Sequence, residues 1–393
     1  MQSNRWLLPE GVQEVLAPES WRLETARRAL LDLYWRWGYD LIRPPLIEYL
    51  DSLLTGAGHD LDLQTFKLVD QLSGRSLGVR SDMTTQTARI DAHRSVAHEP
   101  ARYCYIGSIL RTRPEQSGGS RSPLQIGAEM FGAADPASDL EIISLMLETL
   151  ALMGIEHVTL DLGHVAIYRR LVARAGIDAE LEPALFDIVQ RKSLPDLAAL
   201  HEQQKIDAQA QRWFADLIRL NGPARILEDA QQRLGGIDPA IDAAIADLRD
   251  MLERLQRLYP RTDLVLDLAE LRGYRYKTGL LYAAFAPGIG RELARGGRYD
   301  DVGAVFGRAR PATGFSTDLN LLTEIGEFAH KPQAGGIYAP ADADPALQKE
   351  IRRLRRAGER VVVAMPGCSG AAEESGCDRM LKNSSGSWQV QSL

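Results

Sequence analysis

RYCYIGSILRTRPEQSGGSRSPLQIGAEMFG, residues 102–132, is the stretch on which the fold turns. Residues 101–109 (ARYCYIGSI) alternate in the manner of a strand, a polar Gly/Ser-rich stretch follows over 113–123, and LQIGAEMFG (124–132) is a second strand. Strand, long loop and strand make an antiparallel hairpin with an enlarged tip. On the second strand Gln125 and Glu129 are four residues apart and therefore share a face, with Gly127 between them leaving open space over the strand. An amide and a carboxylate flanking a glycine can hold a small zwitterion, because the amide reaches its polar head and the carboxylate a cationic or donor group. The same pattern also fits a solvated sheet face.

Outward from this hairpin, residues 18–38 carry Trp21, Leu23, Ala26, Leu30, Leu33 and Trp37 at helical spacing, with Pro18 at the start and Gly38 past the end. Residues 39–42 read as a short strand stopped by Pro44 and Pro45. Strands are expected at 65–69 and 76–80 around a Gly74 turn, a helix at 84–97, a helix at 139–154 and a strand at 157–163. From 168 to 259 Leu, Ala, Gln and charged residues dominate, which predicts an all-helical insertion broken at GIDAELEP, NGPA and GGIDP. Strand patterns return at 264–271, 275–286 and 291–301, and 312–326 is a strand running into a helix. HKPQAGG (330–336) reads as a linker to a small α/β tail. The expected organisation is an α+β core over 1–329, its antiparallel sheet flanked by helices and interrupted by the insertion at about 168–259, then a small C-terminal α/β segment over 330–393.

Composition sets outer bounds. At ~150 residues per domain, 393 residues suggest two or three units. With 45% hydrophobic and 25% charged residues the chain is neither disordered nor fibrous. No uncharged apolar run reaches the ~18–20 residues that a membrane crossing needs, and the start shows no basic region followed by an apolar core, so no secretion signal is expected. The net charge of -7 is a poor match for a polyanion, so nucleic-acid binding is not expected. Three cysteines (Cys104, Cys368, Cys377) without a CxxC indicate neither a disulfide framework nor a structural zinc site, and a reducing cytoplasm fits best. His93 and His98 are five apart, off the spacing of a helical metal site.

Two further constellations could carry chemistry. In VRSDMTTQTAR (79–89), Asp82 and Thr84 at a strand-to-helix junction could bind an ammonium, although Ser81 or Asp82 as a helix N-cap is the reading the spacing favours. In LRGYRYKTG (271–279), Arg272 beside Gly273 can swing a guanidinium fork onto a carboxylate, and Tyr274 and Tyr276 alternate with Arg275 and Lys277 along an expected strand. The nearby ARGGRYDD (294–301) fits either close backbone approach or a tight hairpin with Arg298 paired to Asp300 or Asp301. No GxxxxGK[ST], GxGxxG, HExxH or GxSxG motif occurs. The basic run 351–360 reads as a solvated helix face.

Together these blocks resemble the catalytic core of the class II histidyl-tRNA synthetases over about residues 8–326. The opening through YDLIRPPLIEYLDSLL resembles their motif 1, which forms the dimer; 102–132 resembles motif 2; LRGYRYKTG resembles the histidine signature; and 294–319 resembles the approach to motif 3. The resemblance places Asp82, Thr84, Arg111, Gln125, Glu129, Arg272, Tyr274 and Tyr276 at a histidine site. It implies that Arg272 faces the carboxylate, Asp82 and Gln125 the ammonium, and Glu129 the imidazole. The departures are equally specific. Motif 2 reads Arg111-Thr112-Arg113-Pro114, one residue short and without the ATP-contacting glutamate, and Leu321 stands where motif 3 ends on an ATP-gripping arginine. Asp82 replaces a glutamate, Lys277 a tyrosine near the imidazole, and the tail is too short for an anticodon-binding domain.

That combination is similar to the regulatory subunits of ATP phosphoribosyltransferase. The resemblance implies a non-catalytic homodimer within a hetero-oligomer. It would be required by a short-form catalytic subunit in the first step of histidine biosynthesis, and would mediate feedback inhibition by free histidine. No cofactor, metal, nucleic acid or membrane is implied. The rival reading is an active histidyl-tRNA synthetase, which needs intact motifs 2 and 3.

Overall fold

The apolar stripe of the first helix, Glu19–Arg36, buries Ala26, Leu30 and Tyr34, and these side chains anchor it to the main sheet. Tyr34 meets Phe315 edge-on at 6.2 Å and accepts a hydrogen bond from Thr149 Oγ1 at 3.1 Å. The second buried helix, Pro136–Leu152, starts where Asp135 accepts from the Ala137 amide and Pro136 needs no donor of its own. It contributes Ile142, Ile143, Leu145, Met146 and Leu150 to the same core. The computed structural model describes residues 7–55, 59–94, 100–114, 119–203, 205–274, 276–328, 335–366, 372–384 and 386–393. His98, Arg275, Cys368, residues 115–118 of the enlarged loop and most of the expected linker lie outside the described residues. The chain divides into two compact units, Met1–Phe328 and Ala329–Leu393.

The first unit is built on a nine-stranded sheet. Its strands run in the order Asp40–Leu41, Ala101–Ser108, Leu124–Phe131, Ala312–Asp318, Ala294–Arg298, Leu280–Phe285, Thr159–His164, Asp263–Asp267, Asn221–Pro223. The hairpin of 101–108 and 124–131 pairs in antiparallel register, Gly107 opposite Gln125 and Tyr103 opposite Glu129. The sheet is mixed rather than purely antiparallel, because 40–41 and 263–267 run parallel to their neighbours 101–108 and 159–164. Ile126, Ala128 and Met130 join the helix-covered core, so Gln125, Gly127 and Glu129 look to the other face. A separate three-stranded sheet pairs Phe66–Val69 and Ile47–Tyr49 with Ser76–Val79.

Three expectations are corrected here. The insertion is not wholly helical: NGP of its second break forms the strand Asn221–Pro223 on the sheet edge, antiparallel to 263–267. Its helices also share one continuous core with the sheet, through Leu171, Phe214, Leu248 and Leu255. The expected strand over 275–286 is shorter, Leu280–Phe285, and the signature before it is a turn. Gly273 there has φ +74, a left-handed conformation that a strand does not admit.

The second unit is a four-stranded sheet in the order Val361–Val363, Gly336–Ala339, Cys377–Ser384, Ser387–Ser392, with the helix Pro345–Arg356 against it. Leu347, Ile351 and Leu354 pack on Ile337, Val361 and Leu381. The sequence reading had no strand at 377–384. Arg352, Arg353, Arg355 and Arg356 are exposed, as a solvated face requires. Among the described residues, no helix is long and apolar enough to cross a membrane and no group of three or more His, Cys, Asp or Glu could hold a metal ion.

Candidate functional site

Glu129 is the fixed point of the site. It is 1% exposed, yet both carboxylate oxygens are satisfied. Oε1 accepts from the Tyr105 hydroxyl at 2.9 Å and from Thr84 Oγ1 at 3.0 Å, and Oε2 accepts a short bond from the Tyr299 hydroxyl. Burial raises its pKa, opposed by the hydrogen bonds from Tyr299 and Tyr105. The neighbouring strand makes room for it: a Cβ on Gly314, directly opposite in register, would lie 1.5 Å from Glu129 Oε2. Gly127 does not leave open space as the sequence suggested. Its missing side chain is replaced by the Tyr105 ring, whose hydroxyl oxygen lies 2.6 Å from where a Cβ would stand.

Asp82 and Gln125 form the adjoining wall. Asp82 Oδ1 accepts from the Thr84 amide at 3.0 Å and from Gln125 Nε2 at 2.8 Å, while Gln125 Oε1 takes the Met83 amide at 3.0 Å. The capping reading of Asp82 is borne out in that Oδ1 accepts from the amide that starts the helix Thr84–Arg94, and the residue also lines the cavity. Gln125 spends its carbonyl on Met83, so an incoming ammonium meets Asp82 rather than Gln125.

The signature turn supplies the opposite wall. Arg272 reaches Glu292 Oε2 through Nη1 at 2.6 Å and Glu270 through Nε at 3.2 Å, and Glu292 also pairs with Arg295 at 2.6 Å. A ligand carboxylate would share Arg272 with these two acids. Tyr276 lies against Gly273, where a Cβ would come 2.9 Å from its ring. Tyr274 turns toward the helical insertion, its ring stacked on Phe186 at 4.4 Å and its hydroxyl donating to Glu182 at 3.2 Å. Asp161, on the neighbouring strand, is pushed up to about 7 by burial and by the charges of Asp267 and Glu270.

All eight residues named from the sequence line one cavity of about 620 Å³. That volume lies within the ~300–1,000 Å³ of small-molecule sites. Tyr105, Tyr299, Asp161, Glu292 and Arg295 belong to the site's architecture and were not anticipated. Asp161 carried one signal, standing two before Gly163 on an alternating strand. Tyr105 stands on the alternating strand 101–109, and Arg295 and Tyr299 within ARGGRYDD, but nothing local aims any of them at Glu129 or Arg272. Arg298 lies elsewhere than its hairpin reading implied: it is buried against Asp139 of the helix 136–152 at 2.7 Å, and its bond to Asp300 is secondary at 3.3 Å.

Beside this cavity lies a pocket of about 110 Å³, lined by Arg111, Arg291, Arg295, Asp318 and Leu321 among others. Leu321 is 6% exposed. Asp318 caps the helix Leu319–Ile325, accepting from Asn320 at 3.0 Å and from the Leu124 amide at 3.1 Å. No arginine stands at the start of that helix to meet a phosphate.

A mixed sheet carrying a motif 2-like hairpin, a glycine-floored cavity and an arginine signature turn is the class II synthetase architecture of histidyl-tRNA synthetases. The family described as "Histidyl-tRNA synthetase" matches residues 11–322 of this chain. The family described as "ATP phosphoribosyltransferase subunit HisZ C-terminal domain" matches residues 334–391. The ATP phosphoribosyltransferase regulatory subunit of Thioalkalivibrio sulfidiphilus is 53% identical over 392 residues, covering 100% of this chain and 99% of that protein. That of Methylococcus capsulatus is 51% identical over 389 residues, covering 98% and 96%. The solved structure of an ATP phosphoribosyltransferase regulatory subunit/histidyl-tRNA synthetase from Bacillus halodurans has the same fold, with a TM-score of 0.82 at 24% identity over 97% of this chain and 98% of that one. This chain belongs to the ATP phosphoribosyltransferase regulatory subunits.

Proposed function

We propose that the chain is the histidine-sensing partner of a short ATP phosphoribosyltransferase catalytic subunit. That subunit would need it for activity in the first step of histidine biosynthesis, and bound histidine would inhibit through it. The glycosyltransferase chemistry belongs to the partner, and this chain contributes no catalytic residue. One observation carries the reading: eight side chains from separate segments line a single cavity large enough for a small molecule, while the position of a nucleotide-gripping arginine holds buried Leu321.

In this reading Asp82 takes the ammonium, Arg272 the carboxylate and Glu129 the imidazole. To inhibit, histidine must bind one quaternary state more tightly than another, typically by ~1–3 kcal/mol. A homodimer fits the motif 1-like segment, where Leu41, Leu46 and Ile47 are exposed apolar side chains. Net acidity supports a protein rather than a nucleic-acid partner, and a cytoplasmic site of action follows from the pathway.

The test is co-purification with a short phosphoribosyltransferase, scored for activity with and without this chain and with added histidine. Activity that requires the chain and falls with histidine supports the proposal. Activity indifferent to the chain removes the first half of it, and activity indifferent to histidine the second.

A further inference from the structure

Lys277 is an unusual occupant of the cavity. Its side chain is nine-tenths buried, with the residue only 7% exposed. Among the described residues its ammonium has neither a hydrogen-bond acceptor nor an ion-pair partner at contact distance. It is flanked by two aromatic faces, with Nζ 5.4 Å from the ring centroids of both Tyr276 and Tyr299. It shares the cavity with Glu129, whose three hydroxyl donors leave room for about one further donor, since a carboxylate accepts about four. A buried cation and a nearly saturated buried carboxylate therefore face the same space without closing on each other.

The chemistry of that space is restrictive. A group placed there must present a donor to Glu129 and an acceptor to Lys277. A neutral imidazole does so, with one N–H and one bare nitrogen. An imidazolium, a guanidinium or an ammonium offers only donors and adds a like charge in a desolvated site.

We propose that Lys277 is a specificity-determining residue that holds the bound histidine side chain as the neutral imidazole, the ring N–H donated to Glu129 and the bare ring nitrogen accepting from the Lys277 ammonium. This rests on the reading of the cavity as a histidine site. The charges facing Lys277 support it: Glu129, Asp82 and Asp139 keep it protonated against burial, which with Arg295 pulls its pKa down. The selection is absent from any site with a phenol at this position, because a phenol can turn its oxygen toward an imidazolium.

The experiment is NMR of ring-labelled L-histidine bound to the full chain, whose ring carbon and nitrogen shifts report its charge. At about pH 5.5 most of the free amino acid is imidazolium, because its ring titrates at or a little below the ordinary side-chain value of ~6.5. The ring bound to the native chain is expected to be neutral there, with a pKa at least about one unit below the free value. In Lys277→Met, which keeps Glu129 and removes the cation, the bound ring is expected to be charged at the same pH. A charged ring in the native chain, or the same neutral ring in both proteins, overturns the proposal. If Lys277→Met does not fold, the pH titration of the native complex decides alone: a bound-ring pKa at or above the free value is the contrary result. Absence of any bound signal at millimolar histidine removes the histidine reading itself and this inference with it, a failure distinct from a bound but charged ring.

Discussion

Two pockets lie side by side on the open face of the same sheet and share Arg111, Gln125, Glu292 and Arg295 as a common wall, but they differ in what lies beyond it. In the larger, polar side chains are held in pairs and triples: buried Glu129 with three hydroxyls, half-buried Asp82 with Gln125, and exposed Arg272 with two acids. Each such arrangement costs desolvation that its hydrogen bonds must offset. In the smaller, the wall is closed by Leu321, and Asp318 spends an oxygen on backbone amides. A scaffold that only needed stability would replace the first set with apolar side chains, since buried charge is weak evidence of stability. The larger cavity sets such groups around a buried carboxylate, whereas the smaller has the apolar Leu321 in its wall.

That contrast can be broken by substitutions, of which the largest effect belongs to Gly314→Ala. The added methyl falls 1.5 Å from Glu129 Oε2, so the carboxylate must leave its three donors. Calorimetric histidine affinity is expected to fall more than ~hundredfold, equivalent to roughly 3 kcal/mol, with thermal unfolding followed in parallel to separate local displacement from loss of fold. Asp82→Asn keeps the shape and the cap but removes the anion facing the ammonium. A hydrogen bond to a charged group is worth ~1.5–3 kcal/mol, so a roughly ten- to hundredfold weakening is expected in the same titration. Tyr274→Phe deletes the bond to Glu182 and leaves the ring stacked on Phe186. Its effect on affinity should stay within about fivefold, because the lost bond ties the ring to the insertion and does not touch the ligand. Smallest of all, Leu321→Arg should leave histidine affinity within about twofold, because it changes a wall of the other pocket. Nor should it create histidine-dependent pyrophosphate exchange, since the motif 2 arm remains short. Exchange gained from that single change would mean the two pockets still act as one.

The main strands and the 101–131 hairpin were legible because their residues alternate, and the same periodicity put Gln125 and Glu129 on one face; the order of strands in the sheet was not. The signature turn was misread as a strand: Tyr274 and Tyr276 alternate with Arg275 and Lys277 in sequence, yet Gly273 at φ +74 starts a turn, so the faces do not follow period two. Gly127 was misread as vacancy because the ring that fills its space, Tyr105, lies on the partner strand, and a sequence shows no cross-strand neighbour until register is known. Tyr299 reaches Glu129 across 170 residues, a distance over which no local pattern survives. Sequence could therefore find the residues that share a local motif, but not the hydroxyls that hold them.

The central claim is that the chain binds histidine and has no use for nucleotide. It is tested most directly by titrating the full-length native protein with L-histidine, and separately with ATP and magnesium, while pyrophosphate is followed in a mixture of all three. The account predicts a saturable isotherm for histidine, none for ATP with magnesium, and no pyrophosphate. Histidine-dependent pyrophosphate release, a saturable isotherm for ATP with magnesium, or no isotherm for histidine would contradict it.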